Sequence, residues 1–88
     1  MLRMTARLIP KRPGWEAYCN ELDCKGEGQT KEDALFELAK ALLGYAVTFK
    51  KERGLDSLEL ERDSEYPFVK LILSVGYPCD IVKLIVAN

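Results

Sequence analysis

The first third of the chain alternates apolar and polar side chains in short runs. Over residues 2–9 the apolar residues recur at every second position, with Arg3 and Arg7 among the polar residues between them. This period of two predicts a half-buried β-strand. A Pro- and Gly-rich turn over residues 10–14 follows, and residues 15–20 alternate again. The pattern predicts an antiparallel hairpin.

Residues 24–29 predict a third strand, which Gly26 and Gly28 weaken. Glycine inside a strand often marks a bulge or a place where another backbone segment comes close. We therefore expect this strand to be short and to lie at an edge of the sheet.

The most clearly bounded element is a helix predicted over residues 30–53. Thr30 is a favourable N-cap, acidic residues follow it, basic residues fill the last turn, and Gly54 stands where helices often end. Gly44 in its middle costs about 1 kcal/mol relative to alanine, and a bend there is one alternative. The apolar stripe at helical spacing consists of Leu35, Leu38, Ala39, Leu42, Ala46 and Phe49.

The last third of the chain is dense in β-branched and apolar residues. Residues 68–75 and 81–86 predict two strands joined by a turn at residues 76–78. A terminal helix over residues 79–87 is the alternative, which the β-branched side chains disfavour. Each run is preceded by Tyr-Pro, an echo that we attribute to coincidence.

These elements predict an α+β fold in a single domain over residues 1–88. The order is β-β-β-α-β with a further strand at the C-terminus, in an antiparallel or mixed sheet with one long helix packed on one face. The last strands are apolar on both faces, whereas one helix covers one face. A second copy of the chain would cover the other face, so we expect a homo-oligomer, a dimer or larger.

Composition narrows the classes of function. The 88 residues carry a net charge of −1, which argues against direct DNA binding because such binding needs clustered Lys and Arg. No run approaches the roughly 20 apolar residues of a membrane span, and the N-terminus has no signal-peptide pattern. We therefore expect a cytoplasmic protein with no membrane contact. RNA binding by the first turn is a weaker alternative; its candidate residues are Arg7, Lys11, Arg12 and Trp15.

Candidate chemistry is sparse. The chain has no His, and its three cysteines (Cys19, Cys24 and Cys79) therefore have no imidazole partner to activate a thiolate. Neither a nucleophile motif nor a phosphate-binding loop is present. We expect no catalytic residues, no cofactor and no metal, and we interpret the cysteines as ordinary, partly buried thiols.

Residues 55–66 form an acidic segment in which only Arg62 is basic. Leu58 and Leu60 alternate with acidic residues, which fits a short strand. One interpretation is a solvated connection or an exposed edge. The other is a binding surface for a basic partner; its candidate residues are Asp56, Glu59, Glu61, Asp63 and Glu65.

Residues 14–35 resemble the N-terminal domain of HicB-like antitoxins, a partially degraded ribonuclease H-like domain. The matching run is Glu21-Leu22, Cys24, Gly28-Gln29-Thr30 and Glu32-Asp33-Ala34-Leu35. Within it, Cys24, Gly28, Thr30, Ala34 and Leu35 are expected to serve structure. The resemblance covers about residues 1–53. Asp23 stands where the family usually has glycine, and the prolines that flank its acidic-Leu step are absent.

The resemblance implies a β-β-β-α-β core without a catalytic carboxylate set. It also implies oligomers and, in true antitoxins, a small basic RNA-cleaving toxin of the HicA type that the antitoxin covers. Residues 55–88 are expected to form a divergent, strand-rich extension without a basic recognition helix, so the DNA-binding module of the family is not carried over. The acidic segment is the candidate toxin-binding surface. The alternative is a stand-alone oligomeric module with a structural or ligand-binding role.

Overall fold

A computed structural model describes residues 3–53 and 64–87. Three strands come first, a long helix and two shorter helices follow, and a short strand ends the fold. In chain order the elements are β1 Met4–Pro10, β2 Trp15–Cys19, β3 Cys24–Gly28, α1 Lys31–Arg53, α2 Tyr66–Val75, α3 Pro78–Val82 and β4 Ile85–Ala87. The predicted fold class, α+β with a mixed sheet and one long helix, is confirmed.

The four strands form one sheet in the order β3-β2-β1-β4. β1 pairs with β2, and β2 with β3, in antiparallel fashion. β4 pairs with β1 in parallel, with Met4 opposite Ile85. Parallel neighbours need a long crossover, and the three helices supply it between β3 and β4. The predicted hairpin and the edge position of the third strand are both confirmed.

One face of the sheet, here called the inner face, packs against α1. The register places Ala6 opposite Cys19 and Ala17 opposite Gly26, and these side chains point the same way. The side chains of Ala6, Ala17 and Cys19 are almost completely buried, as is that of Met4. Because most of them are small, the helix can lie close to the sheet.

The two glycines of β3 mark where α1 touches the strand. A Cβ atom at Gly26 would lie 2.1 Å from the backbone nitrogen of Leu38, and one at Gly28 would lie 2.6 Å from that of Ala34. No side chain fits in that space. The glycines therefore provide a close backbone approach, one of the two roles expected for them.

The predicted long helix is confirmed, and its start is capped as expected. The backbone N–H of Asp33 donates a 3.1 Å hydrogen bond to the Thr30 hydroxyl oxygen. The predicted core stripe is buried or partly buried. The helix continues through Gly44, and a Cβ atom at that position would meet nothing within 4 Å. Gly54 lies outside the described residues.

The strand predicted over residues 68–75 is wrong, because this segment is part of α2. Pro67 lies in its first turn, where a missing N–H costs nothing. Gly76 ends it in the left-handed region at φ 79° and donates its N–H to the Ile72 carbonyl. Packing against α1 along a helical stripe outweighs the β-branched composition. The buried stripe consists of Tyr66, Val69 and Ile72.

The strand predicted over residues 81–86 is only partly correct. Its first two residues, Ile81 and Val82, belong to the short helix α3, and β4 begins at Ile85. Pro67 and Pro78 each lie in the first turn of a helix, so the Tyr-Pro echo marks two helix starts. In its described part the C-terminal third is therefore mostly helical and not strand-rich. The argument for an oligomer from two-faced apolar strands no longer holds.

Candidate partner-binding surface

The structure describes one of the five candidate residues of the acidic segment. Asp56, Glu59, Glu61 and Asp63 lie outside the described residues, as does the short strand expected around Leu58. As a binding surface these four carboxylates stay a prediction.

Glu65, the fifth candidate, contacts α1. It accepts a hydrogen bond from the Tyr45 hydroxyl. This bond, with burial and the nearby negative charge, raises the pKa of Tyr45 to about 12. Glu65 is partly buried, so the structure gives it a packing role between α1 and the start of α2.

The residues of the HicB-like run meet where β3 joins α1. Gly28 lies against the backbone of Ala34, and Thr30 caps the helix between them. Cys24 lies opposite Cys19 in the register of β2 and β3, and both thiols are free. Leu35 packs on the edge of the core. Gly28, Thr30 and Ala34 thus shape how the long helix leaves the edge strand, whereas Cys24 lies at the other end of β3.

The acidic-Leu step of the same run closes the turn between β2 and β3. The Glu21 carboxylate accepts hydrogen bonds from the backbone N–H of Thr5, at 2.8 Å, and from the Thr5 hydroxyl, at 2.7 Å. Burial alone would raise the pKa of Glu21, but the hydrogen bonds outweigh it and lower the pKa. Leu22 fills the core beside it.

Asp23 follows in the left-handed region at φ 52°. This is the position where the family usually has glycine, and aspartate is among the few other residues that tolerate this conformation. Its carboxylate accepts a hydrogen bond from the Tyr18 hydroxyl. Aspartate therefore meets the backbone requirement of this turn.

The thiols of Cys19 and Cys24 are not activated. Burial, the largest cause, raises the pKa of Cys24 to about 11, and burial also raises the pKa of Cys19. Both are protonated at neutral pH and are poor nucleophiles. Within the described ranges no group of His, Cys, Asp or Glu side chains could hold a metal ion.

The face of the sheet opposite α1 is here called the outer face. Its central row places Arg7, Tyr18 and Lys25 side by side, and the next row places Ile9, Glu16 and Glu27 together. Most of these side chains are exposed or partly exposed, and Glu16 is buried. Together the two rows combine both signs of charge with an aromatic and an aliphatic side chain, a composition common in protein interfaces.

β3 leaves one backbone edge unpaired within the described part of the chain. Three acidic residues lie on this strand or over it: Glu27 with its side chain on the outer face, and Asp33 and Glu37 on the helix that packs on the inner face. We call them the acidic edge. Glu37 is also bound to Lys40 at 2.8 Å. An exposed strand edge can pair with a strand from another protein, and the carboxylates favour a basic one.

The residues of the RNA-binding alternative do not come together. The Trp15 ring packs against the core, with the Lys31 ammonium 4.7 Å from its centroid. Lys11 pairs with Glu16 at 3.7 Å, and Arg7 lies on the outer face. A stacking platform needs exposed aromatic faces beside the cations, which the first turn does not offer.

A second exposed patch escaped the sequence analysis. Phe36 is 43% exposed and Val47 is 48% exposed, both on the side of α1 away from the core. The signal was present, because these residues lie off the core stripe of the helix at a spacing of three turns. Separately, no described helix is long and apolar enough to cross a membrane.

Comparison with known proteins gives one similar structure. No protein-family model and no curated protein matches the chain. A crystal structure of the antitoxin part of a candidate toxin/antitoxin system from Syntrophomonas wolfei subsp. wolfei has the same fold, with a TM-score of 0.82 and 20% sequence identity. The alignment covers 99% of this chain and 63% of the other protein, so the chain spans less than two thirds of its length.

Proposed function

We propose that this protein is a non-catalytic, antitoxin-type inhibitor that binds a small basic, RNA-cleaving toxin and covers its active surface. The observation that carries the proposal is the shared fold, which extends over 99% of this chain, with the antitoxin from S. wolfei. The HicB-like run over residues 14–35 supports it independently, because it was identified from residue types and order alone.

The contact is proposed to form at the acidic edge, and the acidic segment is the second candidate surface. A toxin that binds RNA presents Lys and Arg to phosphates, so an inhibitor competes best with carboxylates. Glu27 and Asp33 are exposed beside the unpaired edge of β3. The strand edge would supply backbone hydrogen bonds and the carboxylates would supply charge complementarity.

This binding mode has a salt signature. Exposed charges are screened over about 8 Å at physiological ionic strength, so the association rate should fall as salt is raised. Pairing of strands depends less on salt, so part of the affinity should persist. The complex forms where mRNA is translated, and we therefore propose a cytoplasmic location.

The test uses the full chain and the protein encoded by a small basic reading frame beside its gene. The two are co-expressed and purified, and the RNA-cleaving activity of the partner is measured with and without this chain. Two variants separate the proposed surfaces. Glu27→Lys with Asp33→Lys reverses the acidic edge, and Asp56→Asn, Glu59→Gln, Glu61→Gln and Asp63→Asn neutralise the acidic segment.

We expect each variant to weaken inhibition by tenfold or more, on the scale of about 1.4 kcal/mol per tenfold. Glu52→Lys with Asp80→Lys is the matched control, because it makes the same charge change away from β3. The proposal fails if no RNA-cleaving partner co-purifies, or if the control weakens inhibition as much as the two test variants do.

A stand-alone oligomeric module is the second candidate. The observation in its favour is the exposed apolar patch around Phe36 and Val47. A stable homo-oligomer from the native host with nothing attached would support this function over inhibition.

A further inference from the structure

We infer that the exposed side of α1 is the interface of a two-fold symmetric dimer, in which α1 packs antiparallel against α1 of a second copy. Six residues form this interface stripe: Glu32, Phe36, Lys40, Gly44, Val47 and Lys50. The stripe shares α1 with the acidic edge, but its test measures the oligomeric state of this chain without a toxin, so the two proposals can fail separately.

The stripe is a continuous band along the helix. At 100° per residue its six positions fall within a band of about 120°, opposite the buried residues Leu38, Leu42 and Phe49. All six are exposed. In the described structure α2 and α3 pack against the rest of α1 and leave this side open.

The charges of the stripe are complementary to those of the same stripe on a second copy of the chain. Glu32 lies at the N-terminal end of the helix and Lys50 at the C-terminal end, both on the same flank. Neither takes part in an ion pair within the described residues. When two copies run antiparallel, each Glu32 meets the Lys50 of the second copy. A parallel arrangement would place like charges together, so the charges select the antiparallel one.

The exposed apolar residues of the stripe are also placed symmetrically about the middle of the helix. Phe36 and Val47 lie equally far from the helix midpoint between Ala41 and Leu42, so an antiparallel pair places Phe36 against Val47 twice. Glu32 and Lys50 are centred within half a residue of that point. The charged pair and the apolar pair thus indicate the same antiparallel geometry. Packed helices of this kind typically have axes 8–10 Å apart.

Lys40 and Gly44 let the helices approach near the centre. The Lys40 ammonium is held to one side by Glu37 at 2.8 Å, and its position 5.6 Å from the Phe36 ring centroid places its chain along the stripe. Gly44 has nothing within 4 Å of a Cβ position. The space above Gly44 can therefore receive the aliphatic part of Lys40 from the second copy.

The oligomeric state of the full chain is measured by sedimentation velocity from low to high micromolar concentration at low salt. We expect a dimer, and Val47→Lys should raise its dissociation constant at least about tenfold by placing a charge against Phe36 of the second copy. Val47 is half exposed, so the variant should stay folded, which circular dichroism checks. Thr48→Lys, one position along, is the matched control and should leave dimerisation unchanged.

A charge swap tests the orientation. Glu32→Lys alone and Lys50→Glu alone should each weaken the dimer several-fold, because each places like charges together at both ends. The double variant should restore it. A monomer at all concentrations, a dimer insensitive to Val47→Lys, or single variants without effect would each overturn the inference.

Discussion

The two parts of the described chain, residues 4–53 and 64–87, differ in how their elements are held. In the first part each element packs on its neighbour in sequence, and α1 lies directly on β3. In the second part α2 and α3 pack on α1, and β4 pairs with β1 at the far end of the chain. Local signals were sufficient for the first part and misleading for the second.

The comparison teaches which local signals to weigh most. α1 begins, and α2 begins and ends, at residues suited to those positions: Thr30 for α1, and Pro67 and Gly76 for α2. The composition between these positions agreed with helix in α1 and with strand in α2. In α2 the terminal residues were therefore the better guide, because Pro67 lacks an N–H that would stay unpaired and Gly76 donates its N–H to the Ile72 carbonyl.

The largest effect is expected at the contact between β3 and α1. Gly26→Ala places a Cβ atom 2.1 Å from the Leu38 backbone nitrogen, so the helix must move off the strand. We expect a loss of more than about 3 kcal/mol in the free energy of unfolding, measured by urea denaturation at one protein concentration. Gly44→Ala, measured at a concentration where the chain is monomeric, is the control and should gain about 1 kcal/mol, since its Cβ position is open and helical. Equal losses at both sites would contradict the close packing.

The second prediction separates helix from strand in the C-terminal part. Val69 and Ile72 are fully buried together in α2, whereas a strand would place them on opposite faces. Ile72→Ala should cost about 3 kcal/mol and Val69→Ala a smaller but clear amount. Ser74→Ala, at an exposed position, should change stability by less than about 0.5 kcal/mol. A neutral Val69→Ala beside a costly Ile72→Ala would favour the strand.

A smaller effect is expected at the start of α1. Thr30→Ala removes the 3.1 Å hydrogen bond to the Asp33 N–H and should cost about 1 kcal/mol. Thr48→Ala on the same helix tests whether the loss comes from the cap, because Thr48 is exposed in the interior of the helix. The cap has no such role if the two variants have the same stability.

The smallest effect concerns the hydrogen bond that joins the two parts, from Tyr45 to Glu65. The pKa of Tyr45 is about 12 in the folded chain and 10.0 without its partners. Its neutral form is therefore favoured by folding, and this contribution is complete below pH 10 and is lost as pH rises towards 12. The tyrosine absorbance titration of the protein, minus that of Tyr45→Phe, should show one group that ionises late. Identical alkaline titrations for the two proteins would rule out this contact.

The sequence predicted some features of the candidate binding surface and missed others. The acidic character of residues 55–66 and the HicB-like run were visible as residue types. The sequence did not show that Glu65 contacts Tyr45, or that Asp33 lies over Gly28 of β3, because these contacts depend on how the elements pack. The exposed pair Phe36 and Val47 was visible only as a departure from the core stripe.

The sequence by itself determined the hairpin, the edge strand, the long helix and its cap, since each depends on residues close together in the chain. Only the tertiary structure decided the state of residues 66–87, where β-branched side chains are compatible with either conformation in isolation. Burial of Val69 and Ile72 against α1 selected the helix for α2, and the free side of β1 selected the strand for Ile85–Ala87. Side chains with weak local preferences adopt whichever backbone lets them leave water together.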